Sequence, residues 1–158
     1  MKKLAGVIFV ILFSSLTVLG QEYKTSLGVR GGYPFSGVSL KHFLNRTDAI
    51  EGVAAFHYRG LMLAGMFQRH ASAFDAPGLY WYYGAGAQAG FYDRRYTPWF
   101  ASDDRGNIAT LGVLGVLGLE YKIEEIPITI GVDLIPVLSI FGHTGFWMNS
   151  GVSLRYTF

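Results

Sequence analysis

The sequence predicts an all-β fold: an eight-stranded antiparallel transmembrane β-barrel that follows an N-terminal signal peptide. Three observations carry this expectation. From residue 21 onward the chain divides into segments of apolar–polar alternation, separated by clusters of Gly, Pro, Asp and Asn. The apolar faces carry aromatic residues at their ends, whereas the opposite faces hold glycine and a few charges. The composition is also apolar for an exported chain, with a mean hydropathy of +0.30 and only 15% charged residues.

The first element is the leader. Lys2 and Lys3 precede an apolar run over 4–13, after which Ser14, Ser15 and small residues lead to Gly20. A basic start, a short apolar middle and a small residue at the cut make a secretory signal peptide, removed near Gly20 to leave Gln21 first. The apolar run is ten residues long, whereas a membrane-spanning helix needs about 20. Lys2 and Lys3 account for the whole formal net charge of +2, so residues 21–158 carry equal numbers of acidic and basic side chains. No patch interleaves Lys and Arg with aromatics, and no nucleic-acid partner is expected. With no Cys in the chain, a disulfide framework, a zinc–thiolate site and a lipidated N-terminal Cys are excluded.

Residues 21–158 form one domain, because no linker or composition shift divides them. Eight segments are expected to be strands: 23–33, 37–44, 49–57, 61–70, 79–92, 108–122, 126–139 and 147–158. In the first, Tyr23, Thr25, Leu27, Val29, Gly31 and Tyr33 share one face, opposite Lys24, Ser26, Gly28, Arg30 and Gly32. The second and third place Lys41 and Glu51 on the polar face, with His42 on the apolar side near its strand end. The fourth contributes Gln68 and His70 to the polar face. The fifth sets Leu79, Trp81, Tyr83, Ala85, Ala87, Ala89 and Phe91 against Tyr80, Tyr82, Gly84, Gly86, Gln88, Gly90 and Tyr92. In the sixth, Leu111, Val113, Leu117, Leu119 and Tyr121 oppose Thr110, Gly112, Leu114, Gly118 and Glu120. In the seventh, Ile128, Ile130, Val132 and Leu134 oppose Thr129, Gly131 and Asp133. The eighth ends in mid-strand, with Val152, Leu154, Tyr156 and Phe158 against Gly151, Ser153, Arg155 and Thr157.

A soluble, lipocalin-like barrel would turn the apolar faces inward, and a membrane barrel turns them to lipid. Aromatics at strand ends (Tyr23, Tyr33, Trp81, Phe91, Tyr121, Trp147, Tyr156 and Phe158) suit interfacial girdles, which favours the second. Slipping a strand by one residue would expose Arg or Lys to lipid at a cost of roughly 2–4 kcal/mol. With both termini periplasmic, the outer connections are YPFSG, YRG, YDRRYTPWFASDDRGN and FGHTGFWM, and the inner turns are NRTD, ASAFDAPG and IEEIP.

The terminal VSLRYTF resembles the C-terminal signal by which outer-membrane barrels are recognised for assembly, with Tyr156 and Phe158 as its aromatic positions. The stretches AIEGVAAF, FDAPGLYWYYGAGAQAGFYD and GLEYKIEEIPITIGVDLIP are similar to a group of small eight-stranded outer-membrane proteins of Gram-negative bacteria. The resemblance implies location in the bacterial outer membrane, contact with its lipid and lipopolysaccharide, and insertion by the barrel-assembly machinery. It supplies no catalytic motif.

Eight strands enclose a lumen just wide enough for side chains to fill. An interior charge network is therefore expected from Lys24, Arg30, Lys41, Glu51, His70, Glu120, Asp133 and Arg155, with Arg30, Asp133, Gln68 and Gln88 farther from the termini. The expected role is a structural or interaction protein of the cell envelope with a plugged lumen. The alternatives are a narrow ion or small-solute pore and a lipid A-modifying acyl-chain enzyme. The parts available to an enzyme are His57 and His143, Ser102, Ser139 and Thr144, and Asp93, Asp103 or Asp104, none at a spacing that marks a catalytic pair. No catalytic residue, metal or cofactor is therefore assigned. His42, His57, His70 and His143 are scattered, and GAGAQAG lies mid-strand with no helix after it to bind phosphate.

Overall fold

The computed structural model describes residues 23–33, 35–57, 60–74, 76–93, 107–142 and 144–158. The leader expected at 1–20 lies outside them. The strands are β1 (Thr25–Tyr33), β2 (Ser36–Phe43), β3 (Asp48–His57), β4 (Gly60–Ser72), β5 (Leu79–Asp93), β6 (Asn107–Ile123), β7 (Ile128–Phe141) and β8 (Gly145–Thr157). Each pairs antiparallel with its sequence neighbour, and β8 returns to β1, which closes the barrel. The closing ladder runs from Ser26 opposite Thr157 to Tyr33 opposite Ser150. Closure leaves no edge with unpaired backbone groups.

Strand ends follow from backbone chemistry. Thr25 and Phe158 exchange backbone hydrogen bonds at 3.0 and 2.8 Å, so the chain's last residue is tied to the start of β1. β7 begins at Ile128 because Pro127 has no N–H to give; its carbonyl instead accepts from Thr157 at 2.9 Å. Pro136 lies inside β7, and the Gly115 opposite keeps room for its ring: a Cβ there would sit 3.3 Å from Pro136 Cγ. In the β2–β3 turn the Asn45 side-chain oxygen accepts from the backbone N–H of Thr47 and Asp48, both at 2.8 Å. The longer β4–β5 turn is compact, with Ala76 N–H donating to Ala73 and Leu79 N–H to Ala76, and Gly78 accepting from Lys122 N–H at 2.7 Å. Gly78 adopts φ of 75° there, a conformation that suits glycine.

The two faces of the sheet are chemically opposite. Outside lie large apolar side chains from every strand, among them Val29, Leu40, Ile50, Phe67, Phe91, Leu117, Val132 and Leu154. Inside lie the buried polar and charged groups, together with an apolar cluster built on Val53, Ala55, Met62, Met66, Leu114, Val116, Ile135, Val137 and Tyr82. Ions gather toward the end that holds Thr25 and Thr157, and the apolar cluster lies toward the other end.

Two girdle assignments need correction. Trp147 packs against the interior cluster, opposite the fully buried Val137. Its neighbours two and eight residues on, Asn149 and Arg155, are buried on the same face, so strand alternation outweighs the preference of an aromatic for the rim. Tyr23 precedes β1, escapes the alternation that governs the strand, and folds over the mouth of the barrel to reach Glu120. Of the other six, Tyr33, Trp81, Phe91, Tyr121 and Phe158 are exposed on the outer wall and Tyr156 is half-buried.

Candidate functional site

The interior ions form two linked groups. Arg155, on β8, crosses the lumen. Its Nη2 donates to Glu51 on β3 at 2.5 Å, its Nη1 to Glu120 on β6 at 3.0 Å, and its Nε to Ser39 Oγ on β2 at 3.0 Å. Gly28, next to Arg155 in the closing ladder, leaves space for that side chain; a Cβ would stand 2.8 Å from Arg155 Cγ. Lys41, on β2, donates to Glu120 at 2.9 Å and lies 4.0 Å from Glu51. Gln68 donates to the second Glu51 oxygen at 2.6 Å, and Tyr23 to the second Glu120 oxygen at 2.5 Å. Each carboxylate therefore has both oxygens engaged, as burial requires. Burial and the Glu120 carboxylate together push the Tyr23 phenol up, which keeps it a proton donor.

The second group is smaller. Arg30 pairs with Asp133, and Tyr82 donates to the other Asp133 oxygen at 2.8 Å. Tyr82 joins the groups, since the Lys41 ammonium lies 4.4 Å from its ring centroid. Gly118, opposite Tyr82 in the ladder, gives the ring its place: a Cβ there would lie 2.5 Å from the ring. Gly151 does the same for the Arg30 guanidinium, at 2.9 Å. Among the described residues three buried cations thus face three buried carboxylates, and these charges balance without His70. His70 Nε2 lies 3.3 Å from Lys41 Nζ. An ammonium can only donate, so Nε2 accepts and Nδ1 carries the ring proton. The imidazole stacks on Tyr82 at 5.1 Å and tilts against Phe43 at 4.8 Å.

Of the residues expected in the network, Arg30, Lys41, Glu51, His70, Glu120, Asp133 and Arg155 are buried inside the barrel. Lys24 is not: it precedes Thr25, where the ladder starts, and is exposed at the rim. Gln68 belongs to the Glu51 group rather than to the Arg30 layer, because the register brings Glu51 opposite Met66, beside it. Gln88 lies toward the far end, opposite Gly112. Alternation gave no partner for Tyr23, Ser39 or Tyr82; the signal for Tyr82 was its place on the polar face, with Gly84 two residues on to leave it space.

Tyr156 and Phe158 stand on the outer wall, ring centroids 6.4 Å apart. His42 also stays on that side, with Nδ1 2.9 Å from Thr25 Oγ1. Of the groups considered for an enzyme, Ser139 is buried with its hydroxyl donating to the Leu111 carbonyl at 3.2 Å. His143, Ser102, Asp103, Asp104 and the His57 side chain lie outside the described residues. Among the described residues no group of three metal-ligating side chains comes together. No family model matches the chain, and neither a curated protein nor a solved structure matches it.

Proposed function

We propose that the chain is an outer-membrane β-barrel of a Gram-negative envelope, exported by its leader, inserted by the barrel-assembly machinery and plugged by its own side chains. Its role is structural or interactive, with outer-membrane lipid and lipopolysaccharide around its wall. The observation that supports this most is the inversion of the two faces: Arg155, Lys41, Glu51 and Glu120 are fully buried while large apolar side chains cover the outside. Soluble monomers rarely expose contiguous apolar patches beyond a few hundred Å², and this wall is apolar on every strand. Hydrocarbon is the solvent that suits such a wall, and an enclosed lumen is the place where paired charges suit it.

The bridging groups support the plug. Arg155 links β8 to β2, β3 and β6, and Tyr82 with the apolar cluster occupies the space beyond. In the outer-membrane fraction the protein is expected to run at a shifted position on a cold gel and to lose the shift on boiling. Planar bilayers should show no discrete conductance steps, and the lipid A mass spectrum should not depend on the protein. A soluble periplasmic protein without a heat-dependent shift overturns the membrane reading. Regular conductance steps overturn the plug, and a changed lipid A mass overturns the non-enzymatic role.

A further inference from the structure

At the end of the barrel that holds Thr25 and Thr157 the interior opens into a recess of about 600 Å³, a size suited to a small organic ligand. Its wall carries three aromatic rings, Tyr23, Phe43 and Tyr80, and three cations, Lys24, Arg46 and Lys122. The carboxylates on the wall do not cancel Lys24 and Lys122. Glu120, at the floor, is already committed to Tyr23, Lys41 and Arg155, which leaves Glu124 as the other acid of the wall among the described residues. Among the described residues, neither Lys24 nor Lys122 has a carboxylate within ion-pair distance; Lys122 Nζ instead stands 5.7 Å from the Tyr23 ring centroid. The deeper network is balanced by its own members, so these cations are not needed to neutralise it.

We propose that this recess binds a small amphiphilic anion. A carboxylate or phosphate sits between Lys24 and Lys122, and an aromatic or otherwise apolar body lies against Tyr23, Phe43 and Tyr80. A concave site with cations left unpaired by the wall's own carboxylates and with low-dielectric walls concentrates counter-ions, and charge-assisted hydrogen bonds hold them. The rings supply the remainder by burying apolar area. The recess is a property of the barrel mouth and does not depend on what surrounds the outer wall.

The test is a titration of the full barrel in zwitterionic micelles, read by amide chemical shifts. The probes are 1-naphthoate, its neutral analogue 1-naphthalenemethanol and inorganic phosphate. The expected result is saturable shifts at Lys24, Arg46 and Lys122 with naphthoate, and binding at least about tenfold weaker for the alcohol and for phosphate, a difference of about 1.4 kcal/mol. The K24Q/K122Q variant should weaken naphthoate by about tenfold while keeping the heat-dependent gel shift. K24Q alone, which alters only an exposed side chain, should give an intermediate loss. Non-saturating shifts overturn the proposal, as does equal binding of the alcohol or an unchanged affinity in K24Q/K122Q. Phosphate binding as tightly as naphthoate overturns the amphiphilic character of the ligand.

Discussion

Toward the end that holds Thr25 and Thr157 the buried interior side chains are largely charged, and toward the other end an apolar cluster takes their place. In the first region Arg155, Lys41, Glu51 and Glu120 link strands that are not neighbours in the sheet. In the second, Val53, Met62, Leu114, Ile135 and Val137 touch across the lumen without directional bonds. The two fillings stabilise the barrel in different ways. An apolar cluster tolerates a lost methyl group at the cost of its transfer energy and a small cavity. A buried ion tolerates no lost partner, because what remains is an uncompensated charge. The charged half therefore specifies which side chains meet, and the apolar half supplies bulk.

The largest expected effect comes from breaking the charged half. Arg155→Met removes three hydrogen bonds and leaves Glu51 with Gln68 and a Lys41 ammonium 4.0 Å away. It should destabilise the barrel by about 3–5 kcal/mol in equilibrium urea unfolding of the refolded protein. Adding Glu51→Gln to Arg155→Met should restore at least about 1 kcal/mol, because it removes the orphaned charge. A single-variant loss below about 1 kcal/mol would place Arg155 in a hydrated environment and end the distinction between the halves.

How much of this was readable in the sequence depends on which physical rule governs a residue. Alternation has a period of two and a heavy penalty for slippage, so strand limits fell within two residues of the segments read from sequence. The same rule placed Arg30, Lys41, Glu51, Glu120, Asp133 and Arg155 inside. Alternation assigns a face but no partner. The meeting of Arg155 with Glu51 on β3 and Glu120 on β6 depends on the stagger of a closed barrel, which pairwise strand patterns do not contain. It also stops at the ladder's end, which is why Tyr23 turned inward and Lys24 stayed out. The apolar cluster was the least legible: Leu114 was on the polar face by alternation, but its meeting with Met62, Ile135 and Val137 is a fact of three dimensions.

Tyr82 stands at the boundary and tests whether it is sharp. Its ring belongs to the apolar cluster, and its hydroxyl donates to Asp133 at 2.8 Å. Tyr82→Phe keeps the first role and deletes the second, leaving Asp133 dependent on Arg30. The expected loss is about 1–3 kcal/mol in the same unfolding measurement. Within the apolar half alone, Ile135→Val removes one methylene group from a buried side chain and should cost about 0.5–1.5 kcal/mol. If Ile135→Val costs more than Tyr82→Phe, packing rather than ion pairing dominates at the boundary.

The smallest effect is expected at Lys24, and it marks where the charged half ends. Parity puts Lys24 on the face of Arg30, yet it lies before the first ladder residue and is exposed. Lys24→Gln should change stability by less than about 0.5 kcal/mol, the usual range for a surface substitution without partners. An interior member of the network could not be neutralised so cheaply, since Glu51 and Glu120 would lose part of the charge that holds them ionised in the lumen. A loss near that of Arg155→Met would draw Lys24 into the network and extend the charged half to the mouth. A null result in unfolding, together with weaker binding of an aromatic carboxylate, would assign this cation to the recess rather than to the fold.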